Sequence, residues 1–297
     1  MNSYLLKEYQ MKQKMVDYAL KHGHFPYDPP LFEDYDNFST LSCEVKKEQL
    51  VTVINGTRFQ LLRPDITTMI MNHVRPQIKG SETLKLFYQS TVYRLLESGI
   101  KSINQFGIEY LGVAGVDYDM AVIDLATKYL EGVRFAFEVG TTKFLTLLLQ
   151  LCNLDTQQEK IFRKLVDIKN QEELVKFAEV NHLPSQVQAI LPELFRLRGS
   201  YEEVVANLMR FDVGEVLRGA VDDVSYLQDF TQQQLIFDLS MTSELTYYDG
   251  VIFKGYYRNS PCEVLSGGRY AGNAIGFVVD VDNWISAQKE ADSHWNI

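Results

Sequence analysis

The sequence predicts an α+β fold in which an antiparallel sheet flanked by helices is interrupted by a helical insertion. Two observations predict it. Runs rich in β-branched and aromatic residues fill much of residues 49–140 and return after residue 234, whereas the stretch between, about 144–231, carries helical periodicity almost throughout. Strands on both sides of an all-helical block imply one sheet domain, residues 1–143 with 232–297, around an insertion at 144–231.

Each element follows from local chemistry. Residues 4–21 form an amphipathic helix with Met11, Met15 and Tyr18 at helical spacing and Gly23 as its terminator. "FPYDPPLFEDY" (25–35) is extended, because its prolines bar a helix. In "QLVTVINGTRFQLL" two strand-forming runs flank Asn55-Gly56, the signal of a type I′ hairpin. Asp65 can cap a short helix carrying Met69 to Val74. "LKLFYQSTVYRLL" and "INQFGIEYLGVAG" are strands, followed by a helix at about 118–131, the strand "RFAFEV" and a helix from near Thr141. The helical block is broken at Pro184, Pro192, Gly199 and Gly214. Strands return in "LIFDLSM", "LTYYDGVIFKGYY", "CEVLSGG" and "AIGFVVDVD", and a helix closes the chain.

Composition narrows the function classes. With 46% hydrophobic and 12% aromatic residues, 297 residues can bury a large core. A net charge of −10 excludes general attraction to nucleic-acid phosphate. Cys43, Cys152 and Cys262 are scattered, with no CxxC pair, so neither a disulfide framework nor a cysteine-zinc site is supported. Lys7, Glu8, Lys12 and Lys14 interrupt any signal-peptide core, and no apolar stretch approaches the ~20 residues of a membrane span. The expectation is a soluble cytoplasmic protein without nucleic-acid or membrane partners. His22 and His24 are too isolated and exposed to argue for a metal, and no P-loop, GxGxxG or Ser-His-Asp pattern occurs, so no cofactor is expected.

Several polar residues stand out. In "LLRPDITTMI", Arg63 and Asp65 flank a proline where strand meets helix; Asp65 either lines a pocket or simply caps the helix. Arg94 lies in the next strand, and Gln105, Gly107 and Glu109 alternate onto one face of the strand after it. Two polar groups on an apolar strand are costly unless they are bonded, lie in a cleft or face solvent. Tyr247 and Tyr248 are adjacent, hence on opposite faces, and serve either a pocket or plain sheet packing. In "LSGGRYAGNAIGFVVDVDNW", Gly267 and Gly268 let the backbone approach a ligand and Arg269 suits a carboxylate or phosphate. Asp280 and Asp282 then stand where a nucleotide site would want another cation.

The order of these signals, "LRPD", an arginine strand running into "QFGIE", a helical insertion, "YYDGVIF", "GGRY" and "AIGF", resembles histidyl-tRNA synthetase and its catalytically silent relative, the regulatory subunit of ATP phosphoribosyltransferase. The likeness covers most of the chain outside the insertion. It implies a class II aminoacyl-tRNA synthetase-like sheet and a homodimer formed through the N-terminal region, with "FPYDPPLFEDY" as a rigid contact edge. It also implies a histidine site: Asp65, Gln105, Glu109 and Tyr247 match positions that hold the amino acid, with Arg94, Tyr248 and Arg269 nearby.

Departures from the synthetase point to the silent relative. Ser243 stands where the synthetase's first histidine signature has an arginine, in the stretch Ser243, Glu244, Leu245, Thr246, Tyr247, Tyr248. Asn283 replaces the arginine that clamps nucleotide phosphates, and Asp280 replaces a glycine. Positive charge is thereby missing where phosphate charge must be stabilised. The loop between Arg94 and Gln105 is short, and no room remains for an anticodon-binding domain. The resemblance therefore implies a non-catalytic subunit that joins a short-form catalytic subunit of ATP phosphoribosyltransferase in a hetero-oligomer and answers to free histidine. The alternative is a truncated, adenylate-forming ligase.

Overall fold

The computed structural model describes residues 2–40, 47–80, 82–131, 134–230, 235–242, 248–258 and 262–294. In chain order the elements begin with α1 (Asn2–Lys21), β1 (Phe25–Pro26), β2 (Phe32–Asp34) and α2 (Tyr35–Thr40). β3 (Thr52–Asn55), β4 (Arg58–Leu62), α3 (Ile66–His73), β5 (Leu84–Leu96), β6 (Gly99–Leu111) and α4 (Val116–Leu130) follow. Next come β7 (Phe135–Thr141), α5 (Thr142–Cys152), α6 (Thr156–Asp167), α7 (Gln171–Val180) and α8 (Ser185–Ile190). β8 (Arg198–Gly199), α9 (Tyr201–Leu208), α10 (Gly214–Asp222), β9 (Leu235–Asp238) and β10 (Tyr248–Tyr257) lead to β11 (Glu263–Tyr270), β12 (Ala274–Asp280) and α11 (Val281–His294). The chain divides into two compact units: Met1–Phe135 with Leu245–Tyr247 and Gly255–Ile297, and Ala136–Glu244 with Tyr248–Lys254.

The first unit is built on strands in the order β1-β5-β6-β12-β11. β5 and β6 form a long antiparallel hairpin, paired from Leu84↔Leu111 to Leu96↔Gly99, so Glu97 and Ser98 alone make the turn. β12 lies antiparallel to β6 from Ala274↔Leu111 to Asp280↔Gln105, and β11 antiparallel to β12. Because paired residues share a face, Phe87, Ile108 and Phe277 point together to one side. Tyr129 of α4 packs there at ring distances of 5.2 Å from Phe106 and 5.6 Å from Phe277. Its backbone oxygen accepts from Trp284 Nε1 of α11 at 2.9 Å, and its hydroxyl donates to Met15 O of α1 at 3.1 Å. Helices therefore cover that face and leave the opposite one for a site.

Two local expectations needed correction. Asn55 pairs with Arg58, so the turn centres on Gly56 and Thr57, one residue later than the sequence suggested. Positive φ is needed only at Gly56 (62°), as in a type II′ rather than a type I′ turn. His24, expected at the surface, is buried, with Nδ1 2.9 Å from Ala19 O; burial pulls its pKa down. Gly23 at φ 77° ends α1 as expected, because only the left-handed region lets the chain reverse there. β2, β4 and β3 form a separate three-stranded sheet over Phe38, Leu50 and Leu61.

In the second unit the strands run β10-β7-β9-β8, with β7 and β9 parallel (Phe137↔Leu235). This unit takes in β7, β8, β9 and the start of β10 together with the helices between them. Thr141 caps α5 and a capping box of Asp155 and Gln158 opens α6. Asp238, 1% exposed, accepts from Lys169 Nζ at 3.0 Å and from the Ser240 hydroxyl at 2.6 Å, which compensates its buried charge. Cys152 is buried and Cys262 exposed, while Cys43 lies outside the described residues.

Candidate functional site

Strand register brings Tyr88, Gln105, Gly107, Glu109, Gly276, Asp280 and Tyr270 to the face of the sheet away from α4. Two glycines make room on it. A β-carbon on Gly107 would lie 2.1 Å from Cζ of the Tyr88 ring, so that ring lies flat across the strand. One on Gly276 would meet Glu109.

Glu109 is the centre of the arrangement. It is 2% exposed, and both oxygens are held: the Thr67 hydroxyl donates to Oε1 at 2.7 Å and the Tyr270 hydroxyl to Oε2 at 2.7 Å. Burial pushes its pKa up to about 7; the two hydroxyls oppose that shift and the Asp65 carboxylate adds to it. A carboxylate poised this way can accept an N–H from a cationic or neutral ring, using lone pairs the hydroxyls leave free.

Asp65 is the helix cap that the sequence allowed. Its carboxylate accepts the Thr68 backbone N–H at 2.7 Å as the cap of α3, yet it sits close enough to Glu109 to raise its pKa. Gln105 ends the polar row, half-buried, in register with Asp280. Asp280 is itself held, accepting the Asn283 N–H at 2.8 Å at the start of α11, and burial raises its pKa. The Asn283 amide donates to Glu263 O at 3.0 Å, and Asp282 accepts from Asn104 Nδ2 at 3.1 Å.

Arg94 shares the face of Tyr88 along β5, whereas Arg269 sits elsewhere. Arg94 donates to the backbone oxygens of Pro64 and, at 3.0 Å, Tyr93, so it fastens β5 to the loop before α3. Arg269 lies on the helix-covered face, since it alternates with Tyr270 along β11. Its Nε donates to Asp119 Oδ1 at 2.9 Å and its other nitrogens to Gly115 O at 3.0 Å and Val113 O at 3.3 Å. Asp119 is 5% exposed, so this is a buried ion pair at the start of α4, not a ligand clamp. Tyr248 opens β10, half-buried, in the second unit. Tyr247, with Ser243, Glu244, Leu245 and Thr246, lies outside the described residues.

Sequence reasoning missed Thr67 and Tyr270. Tyr270 had a signal, for in a strand only one of Arg269 and Tyr270 can share a face with Gly268. Thr67 had none, because only tertiary packing brings α3 over β6. Among the described residues no group of three or more His, Cys, Asp or Glu could hold a metal ion, and no helix is long and apolar enough to cross a membrane.

A sequence model of the histidyl-tRNA synthetase family matches residues 5–283. The regulatory subunit of ATP phosphoribosyltransferase from Thermoanaerobacter pseudethanolicus is 28% identical, over 99% of this chain and 84% of its own. The same subunit from Clostridium acetobutylicum is 29% identical over 89% of this chain and 71% of its own. Among solved structures, an ATP phosphoribosyltransferase regulatory subunit/histidyl-tRNA synthetase from Bacillus halodurans superposes with a TM-score of 0.84 at 22% identity, covering 97% of this chain and 80% of that one. An ATP phosphoribosyl transferase complex from Thermotoga maritima gives 0.68 at 22%, covering 92% and 97%. These superpositions show the fold, an antiparallel-dominated sheet flanked by helices, of class II synthetase type.

Proposed function

The chain belongs to the histidyl-tRNA synthetase family, and from that premise we propose that it is the regulatory subunit of ATP phosphoribosyltransferase, which opens histidine biosynthesis. One observation carries the reading. Where the resemblance puts the amino acid, Glu109 is a buried carboxylate held by one hydroxyl on each oxygen, while the stretch that would face nucleotide phosphates offers Asp280, Asp282 and Asn283, each already bonded to the protein. Acids at that position repel a triphosphate, so adenylate formation is not what the site is arranged for. The named relatives agree in direction, being regulatory subunits matched along most of this chain.

On this reading the chain is a cytoplasmic homodimer within a hetero-oligomer, and a short-form catalytic subunit supplies the chemistry. Free histidine enters beside Glu109, its ring N–H donating to the carboxylate, with Gln105 and Asp65 toward its ammonium group; Tyr247 joins by resemblance. Inhibition requires histidine to bind one quaternary state better than another, since equal affinity shifts nothing. Co-expression with a short-form catalytic subunit tests the reading. Phosphoribosyltransferase activity should depend on this chain and fall when histidine is added. Histidine-dependent exchange between ATP and pyrophosphate by the isolated chain would overturn it in favour of a ligase.

A further inference from the structure

Glu109 and the N-terminal edge of the protein are fastened to opposite ends of one short helix. Thr67, in the first turn of α3, donates to Glu109 Oε1 at 2.7 Å. His73, its last residue, places Nε2 2.9 Å from Glu33 Oε2, a close polar contact rather than an aligned hydrogen bond. Ile66, Met69 and Ile70 of the same helix are wholly buried, so the helix is gripped along its length and shifts as one piece. The two contacts are six positions apart, roughly 9 Å of helix axis.

What lies at the far end gives this geometry a use. Glu33 belongs to β2 and is 2% exposed. Glu33 is enclosed by protein with its carboxylate against the His73 ring, so a shift of His73 at the end of α3 is felt directly by β2. β2 ends the segment "FPYDPPLFEDY", in which Phe25 (63%), Leu31 (43%) and Phe32 (41%) are exposed. That segment is thus an apolar edge whose inner anchor is the last residue of α3. At the near end, a ligand N–H donated to a free lone pair of Glu109 acts on the same carboxylate that Thr67 holds through Oε1. Asp65 caps α3 through Thr68, so any change in the hold on Thr67 acts on the capped helix as a unit.

We propose that α3 is a coupling rod: occupancy of the Glu109 site passes through Thr67 and His73 to Glu33 and resets the exposed aromatic edge. The proposal rests on reading Glu109 as the histidine site, and supplies the route by which that site alters assembly. It names Thr67, His73 and Glu33 as positioning residues, none of them required for the ligand's own charge recognition.

Hydrogen–deuterium exchange of the full chain, with and without free histidine, tests it alongside calorimetry and inhibition of the complex. In the wild type, histidine should change exchange in both 66–73 and 25–34. His73→Asn should keep histidine affinity within about threefold and keep the response in 66–73, but lose the response in 25–34. Histidine should then need at least ~5-fold higher concentration to inhibit the complex, the low end of typical allosteric coupling. Glu33→Gln, which preserves side-chain shape, should behave alike and serves if His73→Asn folds poorly. Persistence of the 25–34 response in the variants defeats the coupling while leaving the histidine site standing. Failure of the wild type to bind histidine defeats the site reading itself.

Discussion

Gly276 stands directly across the β-ladder from Glu109, and a β-carbon placed on it would lie 1.8 Å from Glu109 Oε2 and 2.5 Å from Ile108 O. The missing side chain is what lets the carboxylate lie between Thr67 and Tyr270. Gly276→Ala should therefore displace Glu109 and cost roughly 1–3 kcal/mol of stability, the range for an overpacked core. Urea unfolding measures the loss, and calorimetry should find histidine binding abolished in the protein that still folds.

Replacing the carboxylate itself separates recognition from packing. A charge-assisted bond to a buried carboxylate contributes about 1.5–3 kcal/mol, so Glu109→Gln should weaken histidine binding by roughly ten- to a hundredfold. Calorimetry that returns wild-type affinity would put the histidine site elsewhere.

The same residue gives stability a pH dependence of definite sign. Its folded pKa, about 7, lies above the ordinary 4.5, so the folded chain holds a proton that the unfolded chain releases. Stability from Glu109 is complete below pH 4.5 and falls as pH rises toward 7, by an order of 3 kcal/mol. Unfolding free energies at pH 5 and pH 8 should differ less in Glu109→Gln than in the wild type by about that amount. Equal pH slopes in both proteins would contradict the burial argument.

Arg269 makes the opposite prediction, a large structural effect without a binding effect. Arg269→Met removes the ion pair of the buried Asp119 carboxylate at the start of α4, which should cost about 3–5 kcal/mol. Thermal melting should show the loss, while histidine affinity in the folded fraction stays unchanged. A selective loss of affinity would return Arg269 to the site.

The exposed edge can be tested at its surface. Tyr27 is a poor choice, since its hydroxyl is buried and burial pushes its pKa up to about 12. Phe25→Glu with Phe32→Glu alters two exposed rings instead. Sedimentation should show monomers, and phosphoribosyltransferase activation should fail with them. A double variant that stays dimeric would place the subunit contact on another face.

Local periodicity made the sheet, the helical block and the alternation of Gln105, Gly107 and Glu109 legible, because each is a property of neighbouring residues. What failed depends on residues far apart. The charge of Arg269 is conspicuous in the sequence, yet the register of β11 on β12 turns Tyr270 to the face of Glu109. The position of Thr67 depends on α3 lying over β6, and the parallel β7–β9 pair joins residues about a hundred apart. The burial of His24 is likewise a tertiary fact, its ring lying 5.3 Å from that of Tyr110 on the long hairpin.

The bonds made by Asp280 and Asn283 also bear on what nucleotide chemistry would require here. Resemblance to the synthetase implies a glycine and an arginine at these places in that relative; here Asp280 caps α11, and the Asn283 amide holds the Glu263 carbonyl. Losing such a cap costs about 0.5–2 kcal/mol, so replacing Asp280 alone is penalised before any nucleotide can bind. Placing an arginine at 283 first would set aside the bond to Glu263 beside an acid still in place. Each step toward the synthetase loses something before the pair can gain anything. The barrier to nucleotide chemistry is in this sense a ratchet, held by the wiring of one helix terminus.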